Sequence, residues 1–107
     1  MSRRVEKANS LIRDIAAQFS AVNLNVKNVI ISVAKAEVNR DLKHAKIFIS
    51  VFPKDKNIFV LDELRRAKSE FQRYLASRFK AKFTPVCEFF IDKGEENARR
   101  IEELLKN

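Results

Sequence analysis

Asn39-Arg40-Asp41-Leu42-Lys43-His44-Ala45-Lys46-Ile47-Phe48-Ile49-Ser50-Val51 decides how this chain folds. It opens as a polar, cationic turn and becomes a strand of period two. Ala45, Ile47, Ile49 and Val51 fall on one face, while Lys46, Phe48, Ser50 and Phe52 fall on the other. Just upstream, Val29 to Val38 is a second apolar run rich in β-branched residues. The two runs predict antiparallel strands joined by a short connection that carries Arg40, Lys43 and His44. A sheet with cations clustered at one end is suited to an anionic partner.

Outward from this hairpin, helical spacing takes over. Val5, Ala8, Ile12, Ile15 and Phe19 recur at steps of three and four, the stripe of a first amphipathic helix whose other face carries Arg4, Lys7 and Arg13. Ser20 to Asn28, with three asparagines, reads as a connection. Beyond the hairpin, Ile58, Leu61 and Leu64 begin a helical region that Ala67, Phe71, Leu75 and Phe79 continue at i+4 steps. Thr84-Pro85 stops it, because a residue before proline disfavours the α region. Val86 to Ile91 supplies a third strand, and Glu95 to Leu105 a short final helix with Ala98, Ile101 and Leu105 inward. The expected fold is α+β: a three-stranded sheet covered by helices on one face.

At 107 residues the chain is expected to form one domain, since two halves would be too small to bury adequate cores. Its hydrophobic fraction of 46% fits a globular protein. No apolar run approaches the roughly 20 residues that span a bilayer. No apolar segment follows the basic N-terminus, so a secretory signal is not expected. Cys87 is the only cysteine, which suits a reducing compartment, the cytoplasm. With 22 basic and 14 acidic residues the net charge is +8, which favours a polyanion as partner.

The charge is concentrated. Arg65, Arg66, Lys68, Arg73, Arg78, Lys80 and Lys82 stand against one acid, Glu70, in residues 65–82. Within this region Ser69-Glu70-Phe71-Gln72 matches the S-x-x-Q capping box, with Ser69 as N-cap and Gln72 at N3. That reading breaks the helix near Ser69 and places a helix start, with its free N–H groups and positive partial charge, among the cations. Phosphate contact then outweighs the plainer reading of a solvated helix face. Phe48 and Phe90 lie opposite the core face of their strands. They read either as a stacking platform for bases or as rings packed beneath a loop or the terminal helix, and the packed reading is preferred.

Enzyme chemistry has little support. Gly94 is the only glycine, so neither a phosphate-binding loop nor a dinucleotide turn is present, and no cofactor is expected. Cys87 and His44 are the only cysteine and histidine, too few for a zinc site. Cys87 alternates with Phe89 and Ile91, as a buried structural thiol does.

Taken in order and spacing, these segments resemble the bacterial ribosome-binding factor A family over essentially the whole chain. Val38 to Val51 is similar to that family's strand–turn–strand signature. Arg4-Val5, Leu11-Ile12-Arg13, Phe83-Thr84-Pro85 and Arg100-Ile101-Glu102-Glu103-Leu104-Leu105 also match. The resemblance implies a type II KH-like domain of order α-β-β-α-α-β, with an interhelical kink replacing the GxxG loop. It also implies binding to the small ribosomal subunit and its rRNA late in assembly, maturation of the 5′ end of that rRNA, and growth in the cold. A monomer without membrane attachment is expected.

The kink's Ala-x-Gly pattern falls on Ala67-Lys68-Ser69, where serine replaces glycine. Ser20 to Asn28 also lacks the Asp-Pro-Arg and glycine common in the family. The RNA-binding residues expected are Arg65, Arg66, Lys68, Ser69, Arg73 and Arg78 at the helical break. Arg40, Lys43, His44, Lys46 and Arg4 flank them. The competing readings are a DNA-binding helix-turn-helix, formed by Leu61–Lys68 and Phe71–Phe79, and a basic protein-interaction domain.

Overall fold

The computed structural model describes residues 3–24 and 26–94. Helix α1 spans Arg3–Asn23, strand β1 Ile30–Val38 and strand β2 His44–Phe52. A cis Phe52–Pro53 peptide and a 3-10 turn, Lys54–Lys56, lead into α2, Asn57–Arg66. Helix α3, Lys68–Arg78, and strand β3, Val86–Ile91, complete the order. The expected final helix at 95–105 lies outside the described residues.

The sheet has order β1-β2-β3, with β2 antiparallel to β1 and parallel to β3. The alternation of β2 is borne out: Ala45, Ile47, Ile49 and Val51 are all buried against the helices. Strand β1 changes parity. Ile31 and Val33 pack at the edge of the core before a bulge at Ala34, and Ala36 and Val38 are buried after it. One extra residue shifts which side chains face inward, and this explains why β1 shows no clean alternation.

Each sheet edge receives a side-chain amide from a helix. Asn9 of α1 accepts a hydrogen bond from the Val38 amide at 2.8 Å. Gln72 of α3 accepts from the Cys87 amide at 2.8 Å and donates to the Pro85 carbonyl at 3.0 Å. Gln72 thus pairs with β3 as a neighbouring strand would, satisfying backbone groups that an edge leaves open. The capping box expected at Ser69 is therefore absent. Its Gln72 is engaged elsewhere, and the N-cap position falls on Ala67, with no side-chain cap.

Two further expectations are corrected. Helix α1 runs one turn beyond Ser20, which is buried on its inner face, and the Asn23 side chain bonds back to the Phe19 carbonyl at 3.0 Å. At the start of α2, Ile58 is 76% exposed and Val60 takes the buried position instead, with Leu64 one turn on. The buried stripe of α2 therefore begins at Val60, two residues later than the apolar pattern implied.

The core centres on Phe71, fully buried and edge-on to Phe19 of α1 and Phe89 of β3, each at 5.2 Å between centroids. Burial of rings in this geometry supplies both area and a directional aromatic term. Replacing Phe71 with alanine is expected to cost about 3–5 kcal/mol in urea unfolding; a loss below about 1 kcal/mol would show that the ring is not the centre of the core.

Candidate nucleic-acid interface

Helices α2 and α3 meet at one residue, with Arg65, Arg66 and Lys68 gathered around it. Ala67 adopts φ −86° and ψ 9°, outside the helical well, yet its N–H still reaches the Glu63 carbonyl at 3.1 Å. The Phe71 N–H in turn reaches the Ala67 carbonyl at 2.8 Å. The break is therefore real but sits at Ala67, two residues earlier than Ser69. Among the described non-glycine residues only Asn28 and Leu42 have positive φ. Ser69 lies inside α3, so serine in place of the family's glycine meets no steric penalty. A joint of one residue is also too short for the three- to four-residue turn of a helix-turn-helix.

Arg65 and Lys68 straddle this joint and overhang a cleft of about 280 Å³ against the edge of β3, floored by Cys87, Glu88 and Phe89. Their charge is partly opposed. Lys68 Nζ lies 3.9 Å from Glu88, and Arg66 pairs with Glu63 at 3.0 Å. Ser69 and Arg73 are exposed along α3. Arg78, at its far end, stacks over the Tyr74 ring at 3.5 Å and donates to the Ser77 hydroxyl at 2.8 Å. Burial pushes the Cys87 thiol up to about 12, with Lys68 pulling in the opposite direction. Such a thiol stays protonated and unreactive at neutral pH.

The remaining expected residues fall in three other places. Arg40 and Lys43 occupy the β1–β2 turn, where Leu42 holds φ 60° and the Lys43 amide bonds to Asp41 at 2.9 Å. His44 and Lys46 open β2 on the sheet's outer face, beside Val86, Glu88 and Phe90. On that face Phe48 and Phe90 pack on one another, 5.8 Å apart, with Lys35 over one ring and Lys46 over the other. Arg4 lies elsewhere again, in a groove it shares with Lys7, Lys80 and Lys82. The charge of residues 65–82 is thus split between the two ends of α3. That Lys7 of α1 belongs with Lys80 and Lys82 has no local signature, because the grouping closes over some 70 residues of chain.

Among the described residues no group of three or more His, Cys, Asp and Glu is placed to hold a metal ion. No described helix is long and apolar enough to cross a membrane.

The model of the family described as Ribosome-binding factor A matches residues 3–105. A Ribosome-binding factor A from Caldicellulosiruptor bescii is 35% identical over 78 residues, 71% of this chain. That match spans only 59% of the relative's length. The crystal structure of ribosome-binding factor A from Thermus thermophilus superposes with a TM-score of 0.71 at 16% identity, covering 81% of this chain and 94% of the other. A homology model of the Thermus thermophilus factor, fitted into a cryo-electron-microscopy map of its 30S complex, gives 0.68 at 18% identity and covers 78% and 90%. The fold is accordingly α+β and KH-like, as the resemblance implied.

Two measurements check the local geometry. Because Ser69 sits within α3, Ser69→Ala is expected to be neutral or to stabilise by up to about 0.5 kcal/mol; a true N-cap would instead lose about 1 kcal/mol. Cys87 should resist thiol reagents at pH 8 until the protein unfolds. Its raised value also means that the unfolded chain releases this proton from about pH 9 upward while the folded one holds it until about pH 12. Stability should therefore fall across that window, and less steeply in Cys87→Ala.

Proposed function

The chain belongs to the ribosome-binding factor A family, and from that premise we propose that it is a non-catalytic assembly factor for the small ribosomal subunit. It acts as a cytoplasmic monomer, docks on small-subunit rRNA late in assembly and assists maturation of the 5′ end, with a role in growth in the cold. The relative fitted into a 30S complex supports a subunit as the partner.

The observation that carries this reading is the placement of Arg65 and Lys68 over a cleft at the α2–α3 joint, with Arg66 and Arg73 beside it. Side chains of this type take phosphates, the arginines bidentately and the lysine as a point charge. Ser69 and Arg78 extend the surface along α3, and Arg40, Lys43, His44, Lys46 and Arg4 add flanking contacts. Phosphate contacts carry no sequence information of their own, so selectivity rests on RNA shape and on the assembly state of the subunit.

The triple variant Arg65→Glu, Arg66→Glu, Lys68→Glu should remain folded by circular dichroism and fail to co-sediment with immature small subunits. Undiminished co-sedimentation of the folded variant would remove the joint from the interface.

A further inference from the structure

At the opposite end of α3 from the joint lies a groove of about 360 Å³ between the start of α1, the β1–β2 turn and the segment after α3. Arg4, Lys7, Lys80 and Lys82 line it. We propose that this groove is a second RNA-backbone site, gripping a single strand while the α2–α3 joint holds another part of the same rRNA. The inference rests on the RNA-binding reading above and extends it from the flanking contact at Arg4 to a separate surface.

Three features of the groove point to this occupant. No carboxylate lines it, and among the described residues none of its four cations is in an ion pair. The joint differs, since Glu63 and Glu88 answer two of its cations there. Lys7 also borders an adjoining hollow holding Glu6 and Asp14, and Lys82 lies over the Phe83 ring at 5.6 Å. The groove itself is nonetheless lined by cations without an acid among them, which raises its local potential and draws a polyanion. Second, three of the four cations are lysines, mobile point charges that suit a run of phosphates better than one small ligand needing fixed bidentate geometry. Third, the groove has an apolar part. Leu11 is 42% exposed, and Leu42 is turned toward it from the strained φ 60° position. A strand whose phosphates meet the cations can lay ribose and base against these leucines, whereas a paired helix keeps its bases stacked inside.

The spacing makes the two sites separate contacts. Helix α3 has 11 residues, so the ends lie about 16 Å apart along its axis. One strand or one folded rRNA element engaged at both gains affinity by linkage, without new contacts at either.

The test is fluorescence-anisotropy binding of a ten-nucleotide oligouridine across a salt series. Lys7→Gln, Lys80→Gln, Lys82→Gln should melt as the native protein does and flatten the salt slope by about two units, three lost contacts at about 0.7 each. An unchanged slope and affinity in that variant would overturn the groove site. The variant at the α2–α3 joint, run in parallel, separates the two claims. If it alone loses the oligonucleotide, the groove assignment fails and the assembly-factor reading stands. If the native protein shows no salt-dependent RNA binding, both fail. A groove variant that binds oligouridine normally but loses polyglutamate marks a protein partner and likewise overturns the proposal.

Discussion

The burial of Phe71 between Phe19 and Phe89 is the contact on which the rest of the molecule depends. It ties α1, at the start of the described chain, to α3 and β3 at its end. Tyr74, one turn on, also meets Phe19 edge-on at 5.3 Å and so fixes the rotation of α3 about its axis. With that rotation set, Gln72 points at the edge of β3, the face opposite Phe71 turns Ser69 and Arg73 outward, and Arg78 is exposed where the helix ends. Aromatic pairs of this kind contribute about 0.5–1.5 kcal/mol each beyond their area. The cationic face of α3 therefore follows from how one apolar ring is housed.

The positive charge of the chain reads differently once folded. In sequence, residues 65–82 form one dense block. Folding divides it along α3 into the joint, where Glu63 and Glu88 oppose part of the charge, and a distal groove reinforced by α1. The joint offers shape, a cleft against an edge strand, whereas the groove offers potential. Glu88 marks the boundary between the joint and the outer face of the sheet, since it borders the cleft under Lys68 and also the hollow beside Lys46. An anion approaching between the joint and the outer sheet face meets that carboxylate, which interrupts the positive surface there.

Much of the fold was legible because its signals are local. The alternation of β2 and the stripe of α1 each lie within one element and follow directly from periods of two and 3.6. Val86 to Ile91 was bounded by Pro85 for the same kind of reason. The misreadings share a cause. Gln72 matched a capping box three residues from Ser69, but its partners at Pro85 and Cys87 lie 13 and 15 residues away and take the amide. Ile58 fitted i, i+3 spacing with Leu61 and Leu64, yet Val60 and Leu64 are the positions that packing buries. The bulge at Ala34 hid the inward face of β1. Of the site residues, Arg65 and Lys68 were legible as neighbours in sequence, while the company Arg4 and Lys7 keep with Lys80 and Lys82 is made only by packing the start of α1 beside the end of α3.

Crosslinking the protein to purified immature small subunits, with the attached rRNA read by sequencing and the attached peptides by mass spectrometry, tests the central claim most directly. rRNA is expected to be joined to peptides spanning residues 65–73, at the α2–α3 joint. Crosslinks confined to ribosomal proteins, or rRNA joined only to the outer sheet face around Phe48 and Phe90, would contradict it.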